Sequence, residues 1–248
     1  MDQQTKAALK QDHFVDTTTH GLEWANQNRK SVITTVSLLL AAIVLAVGFG
    51  VIWNRRSDAA AAAFGAAIQT YEAPLLTPGE PAQPGVKTFN SPVERATAAN
   101  KQFLAVADQY GSMKDGANAR YFAGITYMDM GQSASAESTL QKVAGSWNGE
   151  LASLAKEALA DLYHQTGRDP QAIDLYNQLT DKPTDAVPAG LAQIHLAELY
   201  SAEGKEDLAH KIYAQLKDKD KDAKGAAGPA GAIAAKKLNP TPAAAPQL

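Results

Sequence analysis

The sequence contains no cysteine and few aromatic residues, and its positive and negative charges nearly cancel. Without cysteine the chain has neither disulfide bonds nor thiolate ligands for a metal. A net charge of −3 over 248 residues provides no strong field to attract nucleic acid or an acidic substrate. Aromatic residues are 7% of the chain, whereas alanine is abundant. Because alanine favours helices and lets them approach closely, we expect packed helices rather than sheets.

Sequence motifs of catalysis are also missing. The chain has no HExxH, no GxSxG and no phosphate-binding glycine loop. Its five histidines are dispersed, and no two lie four residues apart on one helix, so a zinc site lacks ligands. No pair of carboxylates stands out as a general acid and base. We therefore expect a protein that is not an enzyme and that uses no cofactor or metal.

Residues 31–54 contain no charged side chain. As a helix these 24 residues extend roughly 36 Å, enough to cross a hydrocarbon core of about 30 Å. Thirteen of them are Val, Ile, Leu or Phe, which favour insertion into a bilayer. The run is longer than that of a signal peptide and follows a polar segment of 30 residues. We expect an uncleaved, single-pass transmembrane anchor.

The charges around this segment favour one orientation. Two basic residues lie just outside each end of the segment, so these nearest charges do not orient it. Lys6 and Lys10 add positive charge on the N-terminal side, whereas no basic residue follows Arg56 until Lys87. Because basic residues tend to stay in the cytoplasm, we expect a cytoplasmic N-terminus and a C-terminal domain across the membrane.

A sequence pattern is repeated three times in the C-terminal half. Each copy has an apolar residue, a small residue, a tyrosine and a glycine, followed by an alanine, a large residue and another apolar residue. The copies are Ala123, Gly124, Tyr127, Gly131, Ala136, Leu140 and Val143; Leu159, Ala160, Tyr163, Gly167, Ala172, Tyr176 and Leu179; and Leu196, Ala197, Tyr200, Gly204, Ala209, Tyr213 and Leu216. The glycines lie 36 and 37 residues apart.

Each position of the pattern has a mechanical explanation. Glycine adopts the left-handed conformation that ends a helix. The small residue on one helix and the alanine on the next let the two helices of a hairpin approach closely, and the larger residues fill the space around that contact. A single hairpin cannot bury its apolar face, so neighbouring hairpins must stack on it. Residues 226–238 are predicted to form a short helix that caps the stack.

These residues resemble the tetratricopeptide repeat motif over residues 117–217. The chain departs from it in a longer period, in lacking an early tryptophan and in a displaced proline at Pro183. The resemblance implies an all-α chain: an N-terminal transmembrane helix followed by a tetratricopeptide-like α-solenoid of three to four helical hairpins. A degenerate fourth hairpin would pair residues 58–71, with Phe64, Gly65 and Ile68 in the matching places, with residues 93–110.

The predicted organisation has five parts. They are a polar or amphipathic segment at 1–30, a transmembrane helix at 31–54, a helix and a proline-rich insertion at 55–92, the repeat domain at 93–238 and a disordered tail at 239–248. The insertion is longer than most loops of compact domains. Two interpretations of it stay open, a mobile insertion and a contact surface.

In tetratricopeptide proteins the first helices of the hairpins line a concave face that binds partner segments. By this resemblance, the outward positions beside the packing residues form a protein-binding face. They are Asn118, Tyr121, Ile125, Met128 and Asp129 in the first copy, Leu154, Glu157, Asp161, His164 and Gln165 in the second, and Leu191, Ile194, Glu198 and Ser201 in the third. Such a mixed apolar and acidic surface suits an apolar or mildly basic segment. The alternative for its apolar members is packing on neighbouring helices.

The whole arrangement resembles one bacterial family, the ancillary subunit of the Sec translocon. The likeness rests on a short N-terminal segment, one span entered through WANQNRKSVITTVSLLL, and a small repeat domain. It implies an inner-membrane scaffold with periplasmic repeats that assists protein translocation or periplasmic chaperoning. Its partners would be translocon subunits, periplasmic chaperones or secreted chains. The alternative function is a structural scaffold of another envelope assembly, such as the division, outer-membrane or secretion machinery.

Overall fold

The structure, a computed structural model, describes residues 24, 26–76, 85, 87–220 and 228–239. Within these ranges the regular elements are all α-helices, which confirms the all-α prediction. They are α1 (Arg29–Tyr71), α2 (Pro92–Gln109), α3 (Lys114–Asp129), α4 (Ser133–Ala144), α5 (Gly149–Gln165), α6 (Asp169–Asp181), α7 (Ala189–Ala202), α8 (Glu206–Lys219) and α9 (Pro229–Leu238). Most of the predicted amphipathic segment, and the predicted tail beyond Asn239, lie outside the described residues.

The chain falls into two units, which divide between Arg56 and Ser57. In the first unit, helix α1 is long and apolar enough to cross a membrane, and its most apolar stretch has no buried residue. Large side chains there are open to the surroundings, with Leu38 66% exposed and Leu45 73% exposed. Helix α1 continues without a break to Tyr71, so the apolar segment and the alanine-rich segment after it form one helix.

In the second unit, the end of α1 packs against α2 and α3 through aromatic rings. The ring centroids of Phe64 and Phe103 lie 5.9 Å apart, and those of Phe103 and Phe122 lie 5.3 Å apart. The amide of Asn100, buried on α2, donates hydrogen bonds to the Ala123 carbonyl and to the Thr126 hydroxyl on α3. A ring cluster and a satisfied buried amide therefore join these three helices.

The predicted place of Gly65 in a degenerate fourth repeat is wrong. A side chain added at Gly65 would meet no atom within 4 Å, so no helix approaches it closely. The buried small residues of this part of α1 are Ala60 and Ala67, which lie two turns apart. Since the rings of Phe64 and its neighbours act as spacers, α1 meets α2 and α3 without the small-residue contact of the regular repeats.

Three hairpins follow, α3–α4, α5–α6 and α7–α8, and their turns are alike. Gly131, Gly167 and Gly204 have φ of +70°, +71° and +74°, as predicted for helix ends. The residue after each glycine donates its backbone N–H to the carbonyl of the repeat tyrosine five positions earlier, at 2.9, 2.7 and 2.8 Å. This arrangement satisfies the last carbonyls of each first helix and reverses the chain.

Small residues bring the two helices of each hairpin together, as predicted. In the first hairpin a side chain on Gly124 would lie 2.6 Å from the buried side chain of Leu140. In the second, Ala160 and Ala172 are fully buried, and in the third so are Ala197 and Ala209. One cluster of buried residues extends from α4 to α7 and joins successive hairpins into a stack.

Helix α9 covers the last hairpin, in agreement with the predicted cap. The backbone N–H of Gly231 donates to Asp220 Oδ2 at 2.7 Å, and that of Gly228 donates to the Asp220 carbonyl at 2.8 Å. Ala234 joins the buried cluster of α7 and α8. A terminal helix of this kind shields the apolar end of a solenoid.

Candidate protein-binding face

The first helices of the first two hairpins, α3 and α5, form an open cleft. Tyr121, Ile125 and Met128 lie at spacings of four and three on α3, so they share one face. Glu157 and Asp161 lie one turn apart on α5 and face the same space. With Asp129, Ala158 and Gln165 these residues line a cleft of about 300 Å³.

The structure thus brings together seven of the fourteen residues that the sequence predicts for this face and places the others elsewhere. The seven are Tyr121, Ile125, Met128, Asp129, Glu157, Asp161 and Gln165. Leu154 packs half-buried against the core, and Ile194 is 5% exposed within the cluster of the third hairpin. The surroundings of these two residues fit the alternative interpretation, which is packing on neighbouring helices. His164 is exposed at the end of α5, where Nδ1 lies 2.7 Å from Asp169 Oδ1. Asn118 is half-buried on α3.

The remaining three predicted residues, Leu191, Glu198 and Ser201, line two separate clefts. Leu191 lies beside Ile233 in an apolar cleft of about 230 Å³ near the start of α9. Glu198 lines a polar cleft of about 280 Å³ on the third hairpin, with Ser201, Glu206, His210, Tyr213 and Lys237. In that cleft Lys237 Nζ lies 2.8 Å from Glu198 Oε1.

Tyrosine hydroxyls hold two carboxylates of the α3–α5 cleft. The Tyr71 hydroxyl, at the end of α1, donates to Asp129 Oδ2 at 2.9 Å. The Tyr176 hydroxyl, on α6, donates to Asp161 Oδ1 at 2.5 Å. Sequence reasoning assigned Tyr176 to packing alone and gave Tyr71 no role at this face. The available signal was that both side chains carry a hydroxyl, which needs a partner when its ring is largely buried.

The third carboxylate, Glu157, faces a histidine. Nε2 of His195, on α7, lies 3.4 Å from Glu157 Oε1, and Nδ1 of the same ring lies 3.8 Å from Glu198 Oε2. The His195 ring also stacks on Tyr176, with centroids 5.8 Å apart and planes 15° apart. His195 therefore connects the side chains of the second and third hairpins along this face, a role that its position in the sequence did not indicate.

The electrostatic environment of the cleft disfavours additional negative charge. Burial, together with the nearby charges of Glu157 and Asp161, raises the pKa of Tyr121 to about 12. Burial also raises the pKa of Glu157, with Asp161 adding to the effect and His195 opposing it. The pKa of Tyr176 is raised by burial and by its hydrogen bond to Asp161. Each shift reflects partly desolvated groups close to carboxylates.

The cleft combines an apolar wall from α3 with carboxylates from α5. Among the described residues, no group of three or more histidines and carboxylates is placed to hold a metal ion.

Residues 157–186 match the family model of the tetratricopeptide repeat. The matched segment holds the end of α5, all of α6 and the turn between them, and it includes every signature position of the second copy, from Leu159 to Leu179. No curated protein and no solved structure matches the chain. The chain therefore contains a tetratricopeptide-type hairpin within an all-helical stack, and repeats of this type are protein-interaction modules.

Proposed function

We propose that this protein is a membrane-anchored scaffold that binds other proteins through α3, α5 and α7 and assists protein translocation or periplasmic chaperoning. The observation that carries the binding role is the open cleft, where Tyr121, Ile125 and Met128 of one hairpin face Glu157 and Asp161 of the next. An apolar surface with a polar margin, formed by consecutive repeats, fits an extended or helical segment of another protein.

The membrane anchor is supported by the exposure of the apolar part of α1. Its large side chains between Ile33 and Trp53 are about half exposed or more. Soluble proteins rarely leave a continuous apolar surface of this size in water. A bilayer would cover it, and Lys6 and Lys10 favour a cytoplasmic N-terminus, which would put the repeats in the periplasm of a bacterial inner-membrane protein.

Site-specific photocrosslinking in cells tests the binding role. A photoreactive amino acid at Met128 reports on the cleft, and one at Asp174, exposed on α6 and outside the cleft, is the matched control. We expect translocon subunits, periplasmic chaperones or secreted chains to be crosslinked from position 128 and not from position 174. Equal capture from both positions, or none from either, would contradict the proposal. Components of another envelope machine would support the structural scaffold instead.

Protease accessibility tests the orientation separately. In cells with a permeabilised outer membrane, we expect added protease to digest the repeat domain. Protection until the inner membrane is broken would place the domain in the cytoplasm and would rule out a periplasmic role.

A further inference from the structure

The carboxylates of the α3–α5 cleft are held in place without being neutralised. A phenol donates one hydrogen bond and stays uncharged, so Asp129 and Asp161 keep their negative charge and their other acceptor sites. Across the described part of the chain, no lysine or arginine lies within ion-pair distance of Asp129, Glu157 or Asp161. The orientation of Asp129 and Asp161 is therefore set, while their charge is left for a ligand. Glu157 faces His195, which offsets its charge only when the imidazole is protonated.

The two walls of the cleft differ in character. Tyr121, Ile125 and Met128 form the apolar wall on α3, and all three are half-buried, so part of each remains available for contact. Glu157 and Asp161 are one turn apart on α5, a spacing at which like charges repel each other. A cation between them would relieve that repulsion, and the raised pKa of Glu157 agrees with such an environment.

We infer that the cleft recognises a basic amphipathic segment of another protein, which places a lysine or arginine on Glu157 and Asp161 and an adjacent apolar side chain on Tyr121, Ile125 and Met128. This inference rests on the proposed binding function and specifies its partner. Long basic side chains suit the site, because their aliphatic stems pack on apolar groups while the charged end reaches a carboxylate. The face of Tyr121 offers a further attraction for a guanidinium.

A contact of the same kind occurs within the chain, on the third hairpin. Lys237 projects from the capping helix α9 and forms an ion pair with Glu198 of α7 at 2.8 Å. The hydrogen bond to Glu198 raises the pKa of Lys237. A lysine from a neighbouring helix thus reaches a carboxylate of this face, as a lysine of a bound segment would reach Asp161.

Charge also selects against the opposite class of segment. An acidic or phosphorylated segment would bring negative charge to three carboxylates in a partly desolvated cleft, and such a contact is repulsive. The charge of the cleft therefore supplies discrimination, while its apolar wall supplies contact area.

The test is a binding measurement on the full chain in detergent, with detergent alone as the blank. Two fluorescent peptides of about 16 residues, or roughly four helical turns, serve as probes. Both carry leucines at helical spacing, and the other positions are lysine in one peptide and glutamate in the other. We expect the lysine peptide to bind at least about tenfold more tightly, with affinity that falls steeply as salt is added.

Paired variants connect this preference to the cleft. The double variant Glu157→Gln/Asp161→Asn should bind the lysine peptide about tenfold more weakly than the wild type does. The control Asp174→Asn/Asp181→Asn removes the same charge from exposed positions on α6 and should change affinity less than about twofold. Equal binding of both peptides, or equal losses in the two double variants, would overturn the inference.

The inference and the proposed function can fail separately. If position 128 crosslinks to protein partners but the cleft does not prefer the lysine peptide, the scaffold role stands and the basic partner is wrong. If neither peptide binds and position 128 captures no protein, both are wrong.

Discussion

The first hairpin, α3–α4, and the second, α5–α6, share one signature but fill the space between their helices differently. In the first, Gly124 lies beneath the branched side chain of Leu140. In the second, Ala160 and Tyr176 take the equivalent positions, and both are buried. The Tyr176 hydroxyl reaches Asp161, whereas Leu140 has no polar atom to offer.

This difference shows how one repeat pattern supports two kinds of surface. The first hairpin contributes the apolar wall of the cleft, Tyr121, Ile125 and Met128, and the second contributes Glu157 and Asp161. The large residue of the second helix decides part of this outcome, because a tyrosine there can hold a carboxylate on the first helix. Repeats of equal backbone geometry therefore differ in function through side chains that the packing pattern treats as equivalent.

The largest expected effect comes from a variant that disrupts the packing of the first hairpin. In Gly124→Ala the new methyl group would lie 2.6 Å from Leu140, a side chain that is fully buried. Overpacking costs about 1–3 kcal/mol, against a gain of at most about 1 kcal/mol in helix propensity. We expect urea unfolding to show a net loss of about 1–2 kcal/mol in the free energy of unfolding.

Two matched variants check this explanation. In a Leu140→Ala background the methyl group has space, so Gly124→Ala should become stabilising. Gly145→Ala adds a methyl group whose nearest neighbour is 3.6 Å away, an ordinary contact, and should change stability little. A loss from Gly124→Ala that persists in the Leu140→Ala background would contradict the steric explanation.

The second prediction tests what the two hairpins have in common. Gly131 and Gly167 adopt nearly the same positive φ, so Gly131→Ala and Gly167→Ala should each cost about 1–2 kcal/mol in the free energy of unfolding. Neither glycine has an atom in the way of a side chain, so the cost is one of backbone conformation. Thermal unfolding of both variants measures it, and markedly unequal losses would show that the turns are not equivalent.

The third prediction tests the polar role of the second hairpin. Tyr176→Phe removes the hydrogen bond to Asp161 and should lower the free energy of unfolding by about 1 kcal/mol. Tyr213 holds the equivalent position in the third hairpin, and its hydroxyl donates to no other described residue. Tyr213→Phe should therefore cost less than about 0.5 kcal/mol. If urea unfolding shows equal losses of stability for Tyr176→Phe and Tyr213→Phe, the hydrogen bond from Tyr176 to Asp161 contributes nothing specific.

The smallest expected effect concerns pH. Because the pKa of Glu157 is raised in the folded state, that state binds the proton more readily than the unfolded chain does. The contribution of Glu157 therefore falls as pH rises from its ordinary value of 4.5 through the raised pKa. Relative to the wild type, Glu157→Gln should gain stability across this window. Urea unfolding at pH 4 and pH 7, about three pH units apart, measures the difference in the free energy of unfolding between the variant and the wild type. A stability gain of the variant that shrinks as pH rises would contradict this prediction.

Much of the fold could be predicted because its determinants are local. Gly131, Gly167 and Gly204 end helices by a backbone preference, and the small residues of each hairpin lie 12 positions apart in the sequence. Ile194 shows the limit of this reasoning. An apolar residue at the edge of a packing face can lie either on the outer surface or against the next helix. Which of the two occurs depends on where the neighbouring helix packs.

The candidate cleft was partly predictable for the same reason. The α3 and α5 positions follow from helical spacing, but Tyr71 and Asp129 are 58 residues apart, and His195 belongs to a different hairpin from Glu157. Such pairs depend on how successive hairpins stack, which the signature does not specify. The same holds for Gly65, where the sequence pattern matched but aromatic spacers kept the helices apart.

The sequence by itself determined the uncharged apolar segment of α1, the three hairpins and their turns, since each depends on residues close together in the chain. Only the tertiary structure decided which side chains meet across hairpins. It brought Tyr176 to Asp161, Tyr71 to Asp129 and His195 to Glu157, because these contacts depend on the positions of whole helices. The acidic character of the cleft could be read from the sequence, whereas the neutral donors that hold its carboxylates could not.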